Sequence, residues 1–177
     1  QERCTDLVPQ DSSSERFLNR FIATKKVEGI AMNTLRRYHD ENSRLIQFLN
    51  KQIIDITTDD IRFYLSHRRE TKKVSNRTLD GMRRCFSSFF GWLSAERLIP
   101  HNPCASLKQI KYKKTVKKPF SSTELEKLRR TCNNIRDLAL VDFLYSTGCR
   151  VSEVARLDIS DVDFENSEVH VLGKGNK

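Results

Sequence analysis

The sequence predicts a mainly α-helical protein with a small β part, and three observations carry that reading. Apolar residues recur at helical spacing through most of the first hundred positions. A stretch of prolines and lysines then breaks the pattern. Beyond it, three further helical stretches, the last of them short, give way to period-two alternation close to the last residue.

Each element has its own signal. Phe17, Phe21 and Ile22 share one face of a helix that ends near Gly29. Asn33 is placed to cap a second helix, whose stripe is Leu35, Tyr38, Leu45, Ile46 and Leu49. Thr57 opens a third, with acids in its first turn and Ile61, Tyr64 and Leu65 behind them. Ser75 opens the longest helix, striped by Leu79, Met82, Phe86, Phe89, Phe90 and Leu93; these aromatics read as core and not as a base-stacking platform. "IPHNP" at 99–103 halts the periodicity. "KYKKTVKKP" at 111–119 has five lysines in its first eight positions and reads as an exposed linker or a phosphate-contacting strap. Ser121 and Glu124 form a capping box for the next helix. Another helix carries Leu138, Val141, Leu144 and Tyr145 and ends at Thr147-Gly148. Residues 151–157 are expected to form a short helix with Val151, Val154 and Leu157 inward. Val162 and Phe164, then Val169 and Val171, flank Asn166-Ser167 as a hairpin, and "GKGN" begins a second turn. The expected organisation is a helical domain over 1–110, a basic linker over 111–119 and a mixed α/β part over 120–177.

Charge is unevenly spread. The chain of 177 residues has net charge +9; residues 1–118 hold 24 basic and 13 acidic side chains, residues 119–177 hold 8 and 10. A basic part joined to a near-neutral part suits binding to a polyanion. No apolar run approaches a membrane span, the start lacks a signal-peptide pattern, and the absence of an initial methionine suggests a piece of something longer. The five cysteines, Cys4, Cys85, Cys104, Cys132 and Cys149, form no C-x-x-C pair and join no histidine cluster, so no metal site is expected and a reducing cytoplasm fits.

The chemistry concentrates in "STGCRVSEV", residues 146–154. Arg150 cannot shed its charge, so it is either a solvated surface group or one held toward an anion. Glu153, three residues on, lies on the same face of the first turn and can orient the guanidinium while leaving outer N–H groups free. Lys174 follows between glycines, at the tip of an expected turn. A fixed arginine can bind non-bridging phosphate oxygens, and a lysine on a turn can deliver a proton to a leaving oxygen. An Arg-x-x-Glu pair alone is more often a surface salt bridge, so these residues admit the chemistry without requiring it.

"YSTGCRVSEVARLDISDVDFENSEVHVLGKGNK", residues 145–177, resembles the start of the catalytic domain of the tyrosine recombinases, which include phage and transposon integrases and Xer-type recombinases. The match covers T-G-x-R-x-S-E, the Asp-rich strand after it and G-K-G-N-K. Residues 14–118 resemble the family's helical, SAM-like core-binding domain by pattern. The resemblance implies that Arg150 is the first catalytic arginine, Glu153 a supporting acid and Lys174 the hairpin lysine. It implies attack by a tyrosine hydroxyl on a DNA phosphodiester, a 3′-phosphotyrosyl link and religation with neither ATP nor metal, so no cofactor is expected. The family's His-x-x-Arg box and tyrosine nucleophile would lie beyond Lys177, which makes this chain a binder that does not cut. The implied partner is double-stranded DNA, with a homotetramer on DNA for the complete protein, a monomer for this chain off DNA, no membrane, and a cytoplasmic, nucleoid-associated location in the service of integration or a mobile element.

The candidate DNA contacts are Thr34 and Arg37 on the second helix, Arg77, Arg83 and Arg84 on the fourth, and Lys113, Lys114 and Lys117 in the linker. Arg83 and Arg84 are expected opposite the Phe86/Phe90 stripe, pointing outward. The alternatives are a non-catalytic DNA-binding regulator with a truncated recombinase fold, a type IB topoisomerase, whose clamp domains differ from this helical arm, and a basic RNA binder, which would need aromatics on an exposed face.

Overall fold

Four helices pack around the aromatic stripe of the last of them, and a second, separate unit follows. The computed structural model describes residues 11–171 and residue 173. Its two compact units are Gln1–Lys114 and Thr115–Lys177. The protein is mainly α with a small β part, as its sequence predicts.

In the first unit the helices are α1 (Asp11–Val27), α2 (Met32–Leu49), α3 (Thr58–Lys72) and α4 (Asn76–Ala95). Gly29 at φ +79° turns the chain after α1, and Asn50 in the left-handed region donates its N–H to the Ile46 carbonyl to close α2. Thr57 caps α3 in a capping box: its hydroxyl accepts from the Asp60 N–H, and the Asp60 carboxylate accepts from the Thr57 N–H at 2.9 Å. Ser75 caps α4 by accepting the Thr78 N–H. Asn33 does not cap α2. That helix begins at Met32, two residues before an Asn33 cap would place it, the extended Ala31 carbonyl accepts the Thr34 N–H, and Asn33 already lies inside the first turn.

The α4 stripe is the core. Leu79, Met82, Phe86, Phe89, Phe90 and Leu93 are all buried, against Leu18 and Phe21 of α1, Leu45 of α2, and Ile61 and Tyr64 of α3. Phe21 meets Phe89 edge-on at 5.3 Å, and Tyr64 meets Phe86 the same way at 5.9 Å. Not every aromatic follows the stripes, however: Phe63 is 64% exposed and stacks at 6.1 Å on the partly exposed Phe48. Phe63 sits one residue, or about 100° of helix, from the buried Tyr64, so it must face elsewhere.

The chain after α4 stays on the helical unit. Thr58 Oγ1 donates to the Pro103 carbonyl at 2.8 Å, the Ile110 N–H to Asp80 at 3.2 Å, and Asn76 Nδ2 to the Lys111 carbonyl at 3.1 Å.

The second unit holds α5 (Ser122–Thr131), α6 (Ile135–Thr147), the single turn α7 (Val151–Val154) and an antiparallel hairpin of β1 (Val162–Asp163) and β2 (Glu168–Val169), with Val162 opposite Val169. Ser121 and Glu124 form the expected capping box, and Arg129 on α5 bonds Asp142 on α6 at 2.7 Å. The hairpin turn is built by Asp163, whose carboxylate accepts the N–H groups of Glu165 and Asn166. Here packing departs from the pattern: α7 is only four residues long, Val151 at its start is 73% exposed, and Leu138 and Tyr145 are exposed too. Leu125 is the one buried apolar residue among those described in this unit, so these stripes have little to pack against. No helix among the described residues is long and apolar enough to cross a membrane.

Candidate functional site

Arg150 stands at the junction of two helices because the residues before it stop one and the residue after it starts the next. Gly148 adopts φ +64° and donates its N–H to the Leu144 carbonyl, a left-handed cap that a Cβ would strain. Thr147 Oγ1 donates to the Phe143 carbonyl at 2.6 Å and accepts the Cys149 N–H at 3.3 Å, which fixes the turn from the side. Arg150 then takes an extended conformation as the residue preceding α7.

Glu153 grips that residue twice. Its Oε2 accepts the Arg150 backbone N–H at 2.8 Å, and its Oε1 accepts from Arg150 Nη1. These two bonds, the backbone one foremost, hold the Glu153 carboxyl below its ordinary pKa, so it stays ionised. The Glu153 side chain is 12% exposed and that of Arg150 is 72% exposed. The pair therefore presents a guanidinium anchored on one edge with its remaining N–H groups toward solvent, a geometry that can receive two oxygens of a phosphate. Lys174 lies outside the described residues. Tyr145, expected to pack, is 57% exposed at the end of α6.

The basic residues expected to contact DNA lie on α2, on α4 and in the stretch after α4. Arg77, Gly81 and Arg84 occupy one stripe of α4 at i, i+4 and i+7. Arg37 of α2 lays its guanidinium onto Gly81: a Cβ built there would collide with Nη2 and lie 3.2 Å from Cζ. Arg37, Arg77 and Arg84 thus gather on one face, with Thr34 exposed one turn along α2. Lys113, Lys114 and Lys117 are exposed in the stretch between helices α4 and α5.

Arg83 is different. Its side chain is only 15% exposed and its Nε donates to Asp80 Oδ1 at 2.9 Å, so it does not project outward as its neighbour does. The reason is Asp80, a carboxylate 2% exposed that also lies 3.3 Å from Arg84 Nε and accepts the Ile110 N–H. Sequence reasoning passed over Asp80, although acid-then-arginine at i+3 and i+4 is a recognisable helix pairing. It also passed over Arg62 and Lys108, which share a depression with Arg83. Nothing in their local spacing links three residues from separate segments.

Comparison with known proteins places both units. Residues 17–99 match the phage integrase N-terminal SAM-like domain, and residues 118–177 match the phage integrase family. Tyrosine recombinase XerD of Yersinia pestis is 33% identical over 159 residues, covering 84% of this chain and 52% of that protein. Tyrosine recombinase XerC of Staphylococcus aureus is 33% identical over 168 residues, covering 89% and 55%. The chain spans about half the length of these relatives. Among solved structures, a lambda integrase dimer bound to a COC' core site has the same fold at TM-score 0.74 and 21% identity, covering 91% of this chain and 45% of that one. The Tn1549 transposon integrase in complex with transposon right end DNA gives 0.60 at 20% identity, covering 84% and 50%.

Proposed function

The chain belongs to the phage integrase family of tyrosine recombinases, and on that premise we propose that it holds duplex DNA for site-specific strand exchange. The observation that carries the proposal is the Arg150–Glu153 grip, which aims a permanently charged fork outward from a fixed turn. In the complete recombinase Arg150 binds the non-bridging oxygens of the scissile phosphate and offsets charge that builds on them in the transition state. Glu153 orients Arg150. Lys174 donates the proton to the leaving 5′-oxygen. The nucleophile is a tyrosine hydroxyl supplied outside the four tyrosines here: it displaces the 5′-oxygen and leaves a 3′-phosphotyrosyl bond, which a second strand's hydroxyl reverses without ATP or metal. Arg37, Arg77, Arg84, Thr34 and the lysines at 113, 114 and 117 supply contacts to DNA, mainly to phosphates. The complete protein works as a homotetramer on DNA in the cytoplasm, at the nucleoid, and this chain alone is a monomer off DNA.

Selection from a pool of randomised duplexes tests the binding. Enrichment of one consensus supports the recombinase reading, while an unenriched pool leaves only a nonspecific basic binder and overturns it. In the complete recombinase, Arg150→Ala should retain duplex binding and lower cleavage of a nicked duplex by on the order of 10²–10³-fold. Unchanged cleavage would remove Arg150 from the chemistry.

A further inference from the structure

A depression of about 340 Å³ opens on the helical unit between α3, α4 and the chain that follows α4. Three cations border it, one from each segment: Arg62 from α3, Arg83 from α4 and Lys108 from the extension. Leu65, Leu107 and Ile110 supply an apolar lining beside them. Like charges bordering one hollow repel each other, and an anion entering it relieves that repulsion.

The hollow is held in shape from behind. Asp80 binds Arg83 through Nε, which leaves both terminal nitrogens with no partner among the described residues. The same Oδ1 accepts the Ile110 N–H and so fixes the extension that brings Lys108 to the rim. One carboxylate therefore sets both the direction of Arg83 and the path of the opposite wall. Lys108 has no carboxylate partner among the described residues, and Arg62 has one, the exposed Asp59 at 2.8 Å. The site combines cationic forks with an apolar wall, which matches a phosphodiester flanked by its sugar better than it matches a bare inorganic anion.

We propose that this depression seats one phosphodiester of the bound nucleic-acid strand, with Arg83 and Lys108 on the same phosphate, the sugar against Leu107 and Ile110, and Asp80 as the residue that positions Arg83. The inference rests on the DNA-binding reading above and adds to it a defined contact next to Arg84, since Arg83 and Arg84 meet the same Asp80 carboxylate.

The test is the salt dependence of affinity for a short random-sequence duplex, measured on the full chain, with thermal unfolding confirming that each variant folds. Each phosphate contact contributes about 0.9 to the slope of log K against log salt. Lys108→Ala, at the exposed rim, should lower the slope by about 1. Arg83→Gln should do the same. The double variant should lose no more than either alone, because both side chains hold one phosphate. Lys26→Ala on α1 should leave the slope unchanged. Additive loss in the double variant, equal loss from Lys26→Ala, or an unchanged slope in both depression variants each overturns the seat while leaving DNA binding intact. A wild-type chain that fails to bind the duplex at 50 mM salt, the low end of the usual range, overturns the DNA reading and the seat together.

Discussion

Glu153 holds Arg150 by its backbone N–H as well as by its guanidinium, so one carboxylate both starts helix α7 and aims the cation that precedes it. The two roles separate by mutation. Arg150→Ala removes the guanidinium bond and spares the backbone one. Glu153→Ala removes both and frees an N–H at the helix start. In urea unfolding, Glu153→Ala should therefore lower the midpoint of the C-terminal unit more than Arg150→Ala does. Equal midpoints would show that the backbone bond contributes nothing.

Asp80 gives the helical unit an acid-sensitive tie. Burial would raise its pKa, but the Arg83 bond and the Ile110 N–H outweigh that and leave it lowered. Its folded-state pKa then lies below its unfolded one, so its stabilisation is complete above the ordinary carboxylate range and is lost as pH falls through the lowered value. Asp80→Asn should reduce stability at neutral pH, by roughly 1–3 kcal/mol for a buried partner lost, and flatten the acid limb of the stability curve. A variant whose midpoint falls with acid as steeply as the wild type would remove Asp80 from that limb.

Gly81 sits in the interior of α4, where glycine costs a helix about 0.5–1 kcal/mol relative to alanine. The atom in the way of a Cβ is the far end of the Arg37 side chain, which can swing aside. Gly81→Ala should raise the unfolding temperature by a few degrees and displace Arg37, weakening duplex binding at the same time. A stabilised variant with unchanged affinity would take Arg37 out of the DNA interface.

The two exposures of phenylalanine predict opposite outcomes. Phe89→Ala empties a fully buried position and should cost about 3–5 kcal/mol. Phe63→Ala, at the exposed stack on Phe48, should change stability far less. Paired urea titrations decide it.

Thiol chemistry maps the packing. Burial pushes the Cys104 thiol up to about 12 and also raises that of Cys85. At pH 8, peptide mapping after alkylation should find Cys132 and Cys149, both partly exposed, modified well ahead of these two. Early modification of Cys104 would show that its surroundings open readily.

Local signals in the sequence were enough to find α1 to α6, the Thr57, Ser75 and Ser121 caps, the α4 core stripe and the Arg150–Glu153 pair, because each depends on residues within a turn or two of one another. Asn33 shows where such signals fail, since a capping residue two positions too late is absorbed by the helix. What only the tertiary structure decided depends on residues far apart in the chain. Asp80 turns Arg83 inward because Ile110, thirty residues away, shares its carboxylate. Arg37 reaches its place because Gly81 on another helix offers no side chain to block it. Arg62, Arg83 and Lys108 meet only after α3, α4 and the extension have packed. Spacing along one helix fixes which side chains share a face; which face meets which neighbour is set by burial summed over the whole unit, and that sum is not written in any one segment.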